Sequence, residues 1–142
     1  MKHANMLERK IMWGDLDALG IVFYPHYYEW IDSSSHLFFE SLNLSLKSLN
    51  EERQINFGLI ETGCRYFQPG RYHQKIQIIT QLDELDEKTI LLRHQILLAD
   101  DSSLMVEGQE KRICMDTSNP EKIRAQDIPE DIYIILKNAM ED

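Results

Sequence analysis

One helical pattern among strand-like segments is the feature that most limits the fold of this chain. Over residues 25–42, apolar or small side chains recur at helical spacing, and acidic residues lie off that stripe. The stripe contains Tyr27, Trp30, Ile31, Ser34, Phe38 and Leu42. Three consecutive serines lie in the middle of the segment, and serine is only a modest helix former. The pattern therefore predicts one long helix that packing against a sheet must support.

Segments with the period of two follow this helix and predict an antiparallel sheet. They cover residues 59–67, 72–82, 89–98 and 104–115, and turn signals such as Gln68-Pro69-Gly70 separate them. An earlier strand is predicted at residues 7–13, a short helix or packed loop near Leu44 and Leu49, and a C-terminal helix from about Pro129. The fold class is therefore α+β, with about five strands, one long helix and a C-terminal helix.

The last predicted strand carries two features that its alternation does not explain. Gly108 lies in the middle of the strand and predicts a β-bulge there. Glu110 and Arg112 lie on one side of the same strand, and the pattern alone gives them no role.

Composition limits the class of protein and its surroundings. The 142 residues are 43% hydrophobic and 27% charged, as expected of one globular domain covering residues 1–142. A net charge of −9 argues against nucleic acid as a partner. Cys64 and Cys114 lack metal-ligand spacing, which favours structural thiols in a reducing compartment. Without an apolar signal core or a membrane-length apolar run, the expectation is a cytoplasmic protein with no membrane partner.

The stretch from Gly14 to Tyr28 has the components of a site. Asp15 and Asp17 follow an apolar run, and Gly20 permits a sharp turn after them. Pro25 stands where the helix begins, and the first turn of a helix offers free N–H donors and a partial positive charge. A carboxylate beside such donors can attack or deprotonate while the N–H groups hold a developing oxyanion. From the residues alone, an ordinary strand, polar turn and helix without a catalytic role is the favoured interpretation of this stretch, because Asp and Gly are common turn residues.

This stretch resembles the active-site segment of hotdog-fold acyl-CoA thioesterases of the 4-hydroxybenzoyl-CoA thioesterase type. Their pattern is Asp-x-Asp-x-x-Gly-(Ile/Val)-Val, then two aromatic or His positions, a small residue or Pro, Asn and Tyr. The chain matches it at Asp15, Asp17, Gly20, Ile21, Val22, Phe23, Tyr24, Pro25 and Tyr27, and departs from it at His26, where the family usually has Asn. The order of strand-like segments extends the resemblance over nearly the whole chain. It implies a hotdog fold, in which the sheet wraps the long helix.

The resemblance implies hydrolysis of an acyl thioester to a carboxylic acid and a free thiol, without a metal or cofactor. Asp17 matches the catalytic aspartate, which acts either as a nucleophile or as a base that activates water. Tyr24 matches the position whose backbone N–H polarises the thioester carbonyl, and we expect Asp15 to accept hydrogen bonds from loop N–H groups. The residues expected to bind substrate are Gly20, Val22, Phe23, Pro25, His26, Tyr27, Phe57, Gly58 and Glu61. For Glu61, an exposed strand position is the favoured alternative.

The same resemblance implies partners. In this family the sheet edges of two protomers meet, so we expect a homodimer or homotetramer in which residues 57–61 approach Asp17 of the partner subunit. The substrate is expected to be a thioester of coenzyme A or of acyl-carrier protein, with an aromatic or aliphatic acyl group. Candidates for the coenzyme A phosphates are Arg65, Arg71, His73, Lys75, Arg93, Lys111 and Arg112, although a solvated strand face is the favoured explanation of each one. A hotdog protein that binds an acyl thioester or a partner without cleavage is the alternative function.

Overall fold

The computed structural model describes residues 2–141, which form one antiparallel sheet and three α-helices. The strands are β1 (Asn5–Lys10), β2 (Ile55–Tyr66), β3 (Lys75–Leu85), β4 (Thr89–Leu98), β5 (Leu104–Asp116) and the two-residue β6 (Arg124–Ala125). The helices are α1 (Pro25–Ser41), α2 (Leu46–Arg53) and α3 (Glu130–Met140). Within this part of the chain, no helix is both long enough and apolar enough to cross a bilayer.

The sheet has the strand order β1-β3-β4-β5-β2, and β6 pairs with the end of β5. All of these pairings are antiparallel. Within residues 2–141, β1 and β2 are therefore the two edges of the sheet. One long helix after the first strand, followed by four strands of a curled antiparallel sheet, confirms the α+β hotdog fold.

The predicted strands near the site begin or end differently from the structure. β1 ends at Lys10, and Trp13–Asp15 forms a 3-10 turn in which the Asp15 carboxylate accepts the Met12 N–H at 2.8 Å. β3 begins at Lys75, because His73 has a φ of 70°, in the left-handed region that extended strands exclude. Both differences come from loop hydrogen bonds or dihedral angles that side-chain alternation does not report.

The bulge predicted at Gly108 is wrong. Gly108 pairs in regular register with Cys64 on one side and with His94 on the other. A Cβ atom at Gly108 would lie 2.5 Å from Cδ1 of Ile31 on α1, so any larger residue here would require the Ile31 side chain to shift. The register of β2 shifts instead between Leu59 and Glu61.

Helix α1 lies against the sheet along the predicted stripe. Its buried residues are Tyr27, Trp30, Ile31, Ser34, Ser35, Phe38 and Phe39. The first half of α1 packs in one apolar cluster with β3, β4 and β5, and the second half packs in another that also receives α2 and α3. The start of α1 is therefore fixed by a cluster of its own, beside the loop that follows β1.

A buried polar layer lies between these two clusters. His94 on β4 and Glu110 on β5 are 0% and 2% exposed, and His94 Nε2 lies 3.3 Å from Glu110 Oε1. Thr80 Oγ1 on β3 lies 2.8 Å from His94 Nδ1, and the Ser35 hydroxyl on α1 donates to the Glu110 carboxylate. Burial acts to raise the pKa of Glu110, but the His94 hydrogen bond, the charge of Arg112 and the Ser35 hydrogen bond together lower it. Glu110 is therefore an ionised carboxylate inside the core.

Arg112 connects this layer to the surface. Its Nη2 donates to Glu110 Oε2 at 3.1 Å and to Asp32 Oδ1 at 2.7 Å, and its Nη1 donates to the Phe57 carbonyl at 3.0 Å. The residue is 5% exposed, so it is not on a solvated strand face. These contacts give Glu110 and Arg112 the structural role that their positions in the sequence leave unexplained.

Candidate active site

The Asp15 carboxylate holds the loop between β1 and α1. It accepts the Met12 N–H at 2.8 Å, and Arg9 Nη2 donates to both of its oxygens at 3.1 Å. The Phe23 N–H donates to the Asp15 carbonyl at 2.9 Å. The Arg9 guanidinium also lies 4.5 Å from the ring centre of Trp30 on α1. These contacts confirm that Asp15 accepts hydrogen bonds from the loop, and they show that Arg9 links the loop to the helix.

Asp17 lies on the tight turn that follows. Its Oδ1 accepts the Leu19 N–H at 2.8 Å, and its own N–H donates to the Ile21 carbonyl at 2.8 Å. Gly20 closes the turn by donating to the Asp17 carbonyl at 3.0 Å with a φ of 76°, which glycine adopts at little cost. Within residues 2–141, no donor bonds Oδ2. One oxygen of a half-buried carboxylate is therefore oriented by the turn, and the other is open.

Tyr24 presents an unpaired backbone N–H at the start of α1. The neighbouring N–H groups all donate to carbonyls at distances between 2.9 and 3.1 Å: Val22 to Gly70, Phe23 to Asp15, His26 to Phe23 and Tyr27 to Tyr24. Pro25 is the first residue of α1 and has no N–H. For the Tyr24 N–H, the described part of the chain contains no acceptor, so this donor is available to an oxyanion beside the positive end of the helix.

A cleft of about 330 Å³ opens between the start of α1 and the end of β2. Its walls are mainly apolar and aromatic, and they consist of Ile21, Val22, Tyr24, Tyr27, Tyr66, Phe67, Gln68 and Pro69. Burial and a hydrogen bond with Tyr28 raise the pKa of Tyr66, so its phenol is neutral at physiological pH. Sequence reasoning did not place Tyr66 or Phe67 in the site. The available signal was an aromatic pair directly before the Gln68-Pro69-Gly70 turn.

Most of the residues predicted to bind substrate surround Tyr24. Gly20, Val22, Phe23, Pro25, His26 and Tyr27 all lie in the loop or in the first turn of α1. Val22 and Tyr27 line the cleft. The His26 imidazole has its Nδ1 2.9 Å from Glu29 Oε1 and stacks on Trp30, so its polar partner is Glu29 rather than Asp17.

The other three predicted residues, Phe57, Gly58 and Glu61, lie on β2 away from this cleft. Phe57 is 1% exposed and packs on Phe39 with ring centres 5.1 Å apart, whereas Glu61 is exposed. Glu61 precedes the cleft residue Tyr66 by five positions, which is about 16 Å along a strand. A single chain does not bring these residues to the cleft, and their approach to Asp17 of a partner subunit stays a prediction.

One cation that was a candidate for the coenzyme A phosphates is paired with carboxylates of the same chain. Arg93, a candidate for coenzyme A phosphates, donates to Asp83 at 2.9 Å and lies 3.6 Å from Glu107. Among residues 2–141, no three His, Cys, Asp or Glu side chains group as a metal site requires. The candidate site consists of one partly free carboxylate, one free N–H donor and an aromatic cleft.

Comparisons with known proteins identify the family of this chain. The family model described as the thioesterase-like superfamily matches residues 11–136. The 4-hydroxybenzoyl-CoA thioesterase of Pseudomonas sp. (strain CBS-3) is 25% identical over 141 residues, which cover 96% of this chain and 99% of the relative. The resemblance seen in the Asp-x-Asp-x-x-Gly segment is therefore confirmed over the length of the chain.

Solved structures of similar proteins support the same family. A gentisyl-coenzyme A thioesterase is 29% identical with a TM-score of 0.79, covering 90% of this chain and 98% of its own. A 4-hydroxybenzoyl CoA thioesterase mutant complexed with 4-hydroxybenzoyl CoA is 26% identical with a TM-score of 0.85, covering 94% and 98%. The chain belongs to the thioesterase-like superfamily and is a hotdog-fold thioester hydrolase of the 4-hydroxybenzoyl-CoA thioesterase type.

Proposed function

We propose that this chain hydrolyses acyl-CoA thioesters, with Asp17 as the attacking or activating carboxylate and the Tyr24 N–H as the oxyanion donor. The observation that carries the proposal is the pairing of a carboxylate that has one open oxygen with an unpaired N–H, seven positions apart on one loop. The choice of coenzyme A thioesters over carrier-protein thioesters is supported by the descriptions of the similar proteins, which name coenzyme A substrates.

Two routes use the same groups. In the first, Asp17 attacks the thioester carbonyl carbon, the C–S bond breaks with release of the thiolate, and water hydrolyses the resulting anhydride. In the second, Asp17 takes a proton from water, and the hydroxide attacks the carbonyl carbon before the thiolate leaves. Both routes place negative charge on the carbonyl oxygen in the transition state. The Tyr24 N–H and the positive end of α1 stabilise that charge in either case.

The aromatic walls of the cleft favour an aryl acyl group. Tyr24, Tyr27, Tyr66 and Phe67 contribute rings around a space of about 330 Å³. A planar acyl group gains from offset or edge contacts with such rings in addition to apolar burial. An alkyl chain of similar size would gain the burial without the ring contacts, so we expect aryl-CoA substrates to be preferred.

The working unit is proposed to be a homodimer or homotetramer joined at β2. This strand is an edge of the sheet within residues 2–141, and Leu59 and Ile60 on it are 47% and 54% exposed. An edge strand has unpaired backbone N–H and C=O groups, and here it also exposes apolar side chains. Pairing with the same strand of a second copy would satisfy those groups and bury those side chains. That arrangement would give Phe57, Gly58 and Glu61 their predicted approach to Asp17 of the partner subunit. A single domain over residues 1–142 and a cytoplasmic location also stay predictions.

A thiol-release assay tests this function. Free coenzyme A is measured with a thiol reagent after mixing the protein with benzoyl-CoA, 4-hydroxybenzoyl-CoA and straight-chain acyl-CoAs of similar size. The proposal predicts catalytic release, fastest for an aryl-CoA. If calorimetry shows binding of an acyl-CoA without any release of thiol, the chain is a non-catalytic acyl-thioester-binding protein, and the proposal is wrong.

A further inference from the structure

One glycine makes hydrogen bonds on both sides of Tyr24. The Gly70 carbonyl accepts the Val22 N–H at 2.9 Å, and the Gly70 N–H donates to the Tyr27 hydroxyl at 3.1 Å. Val22 lies two positions before Tyr24, and Tyr27 lies three positions after it in the first turn of α1. Gly70 itself is buried in the turn between β2 and β3. The segment that carries the free N–H is thus attached on both sides to one residue of the turn between β2 and β3.

The surroundings of Gly70 leave no room for a side chain. A Cβ atom there would lie 2.8 Å from each of three atoms: Ile11 Cδ1, Val22 Cγ2 and Tyr27 Oη. Such distances are far below ordinary contact, and two of the three residues are its own hydrogen-bond partners. An isolated antiparallel β-bridge between Ile21 and Arg71 joins the same two segments next to Gly70. Glycine is therefore required here by close approach.

Tyr27 has its ring and its hydroxyl in different roles. The residue is 4% exposed and lines the cleft, its ring packs against that of the cleft residue Tyr66, and its hydroxyl accepts the Gly70 N–H. Burial raises the pKa of Tyr27 against the opposing effect of that hydrogen bond, so the phenol is neutral. Removal of the hydroxyl alone therefore breaks the attachment and leaves the ring in the wall of the cleft.

We infer that Tyr27 and Gly70 are positioning residues, which fix the direction of the Tyr24 N–H for the oxyanion; this rests on the proposed function. The Tyr24 N–H has no partner in the described chain, so only its flanking residues set its direction. A preorganised donor stabilises a developing charge because it needs no reorganisation during the reaction. Together, the hydrogen bonds of Gly70 with Val22 and Tyr27 form a Gly70 clamp.

The Tyr27→Phe variant tests the clamp. A misdirected donor loses interactions made in the transition state, so kcat and kcat/KM should fall together, by roughly tenfold, less than the ~100-fold that a misplacement of about 1 Å can cost. KM should stay within about twofold, because the ring that lines the cleft is retained. The matched control is Tyr133→Phe on α3, which removes a phenol hydroxyl remote from the cleft and should leave both constants unchanged.

Two further measurements test the clamp without relying on the activity of Tyr27→Phe alone: amide exchange at Gly70 and a second variant, Gly70→Ala. Amide hydrogen exchange by NMR should show faster exchange at Gly70 in Tyr27→Phe but not in Tyr133→Phe. Gly70→Ala breaks the same clamp sterically, so its effect on kcat and that of Tyr27→Phe should combine less than additively in the double variant. A folded Gly70→Ala protein thus serves as the second test if Tyr27→Phe is poorly folded.

The outcomes separate the two claims. If the wild type is active and Tyr27→Phe keeps its kcat, or changes only KM, the positioning role is overturned while the proposed function stands. If the wild type hydrolyses no thioester, the proposed function and the catalytic purpose of the clamp both fail, and the exchange rate at Gly70 still shows whether the clamp exists. Reduced kcat with unchanged KM and faster Gly70 exchange supports the inference.

Discussion

Arg9 and Asp15 form an ion pair in which one guanidinium nitrogen lies 3.1 Å from both carboxylate oxygens. Arg9 belongs to β1, and Asp15 lies five residues beyond its end, so the pair closes the loop that leads to Asp17. The Asp15 side chain is 12% exposed and that of Arg9 is 36% exposed, which places the pair at the border of the core. Two aspartates of one motif therefore have different surroundings, and we predict different consequences of their substitution.

Asp15→Asn should act on stability more than on catalysis. An amide keeps an oxygen for the Met12 N–H but removes the charge that pairs with Arg9, so the free energy of unfolding should fall by about 1–3 kcal/mol. Urea unfolding followed by tryptophan fluorescence measures this change. Assayed well below its unfolding midpoint, the variant should retain most of the wild-type kcat. A severe loss of kcat at an unchanged unfolding midpoint would show that Asp15 takes part in the reaction.

Glu110→Gln should destabilise the protein in a pH-dependent manner. The fold lowers the pKa of Glu110 below its ordinary value of 4.5, so the ionised form stabilises the folded state above that pH. This contribution is lost as the pH falls from 4.5 through the lower pKa of the folded state. At neutral pH the variant should lose about 3 kcal/mol, because Arg112 keeps its charge in the core without the Glu110 carboxylate.

The difference between wild type and Glu110→Gln should therefore shrink as the pH is lowered below 4.5, and urea titrations across that range measure it. The control is Glu107→Gln on the same strand, where the carboxylate is 30% exposed and lies 3.6 Å from Arg93. That substitution should cost less than about 1 kcal/mol. Equal effects of the two substitutions at neutral pH would contradict a structural role for the buried polar layer.

Ile60→Lys should break the proposed contact between β2 edges. A charged side chain on an edge strand opposes pairing with a second edge, so the variant should be monomeric by light scattering and inactive. The control is Ile134→Lys on α3, where an isoleucine of similar exposure, 49%, lies away from β2. It should remain oligomeric and active. A fully active monomer of either variant would show that the site is complete in one chain.

The sequence predicted the parts of the site that depend on local spacing. Pro25 as the first helical residue, the turn at Gly20 and the loop-bonding role of Asp15 all involve neighbours within a few positions, and all three are confirmed. The helical period likewise predicted α1 and its buried face, because each turn of a helix repeats one environment. These features follow from steric and hydrogen-bonding preferences of short segments.

The parts that the sequence missed depend on contacts between distant residues. Tyr27 and Gly70 are 43 positions apart, and Ser35 and Glu110 are 75 apart, so no periodic pattern relates them. The sequence predicted Gly70 only as part of a turn. Its close approach to Tyr27, which leaves little space for a side chain, depends on the folded structure. These roles are seen only in the folded structure, where α1 contacts β5 at Glu110 and the turn between β2 and β3 at Gly70.

The measurement that tests the account most directly is kcat/KM of Asp17→Asn on the best acyl-CoA substrate of the wild type. Asparagine has nearly the same shape and keeps an oxygen for the Leu19 N–H, so folding should be unchanged, as circular dichroism and the unfolding midpoint would show. Loss of the carboxylate removes both the nucleophile and the base, and kcat/KM should fall by roughly 10³-fold or more. Hydrolysis by folded Asp17→Asn at the wild-type rate would contradict the central role of Asp17.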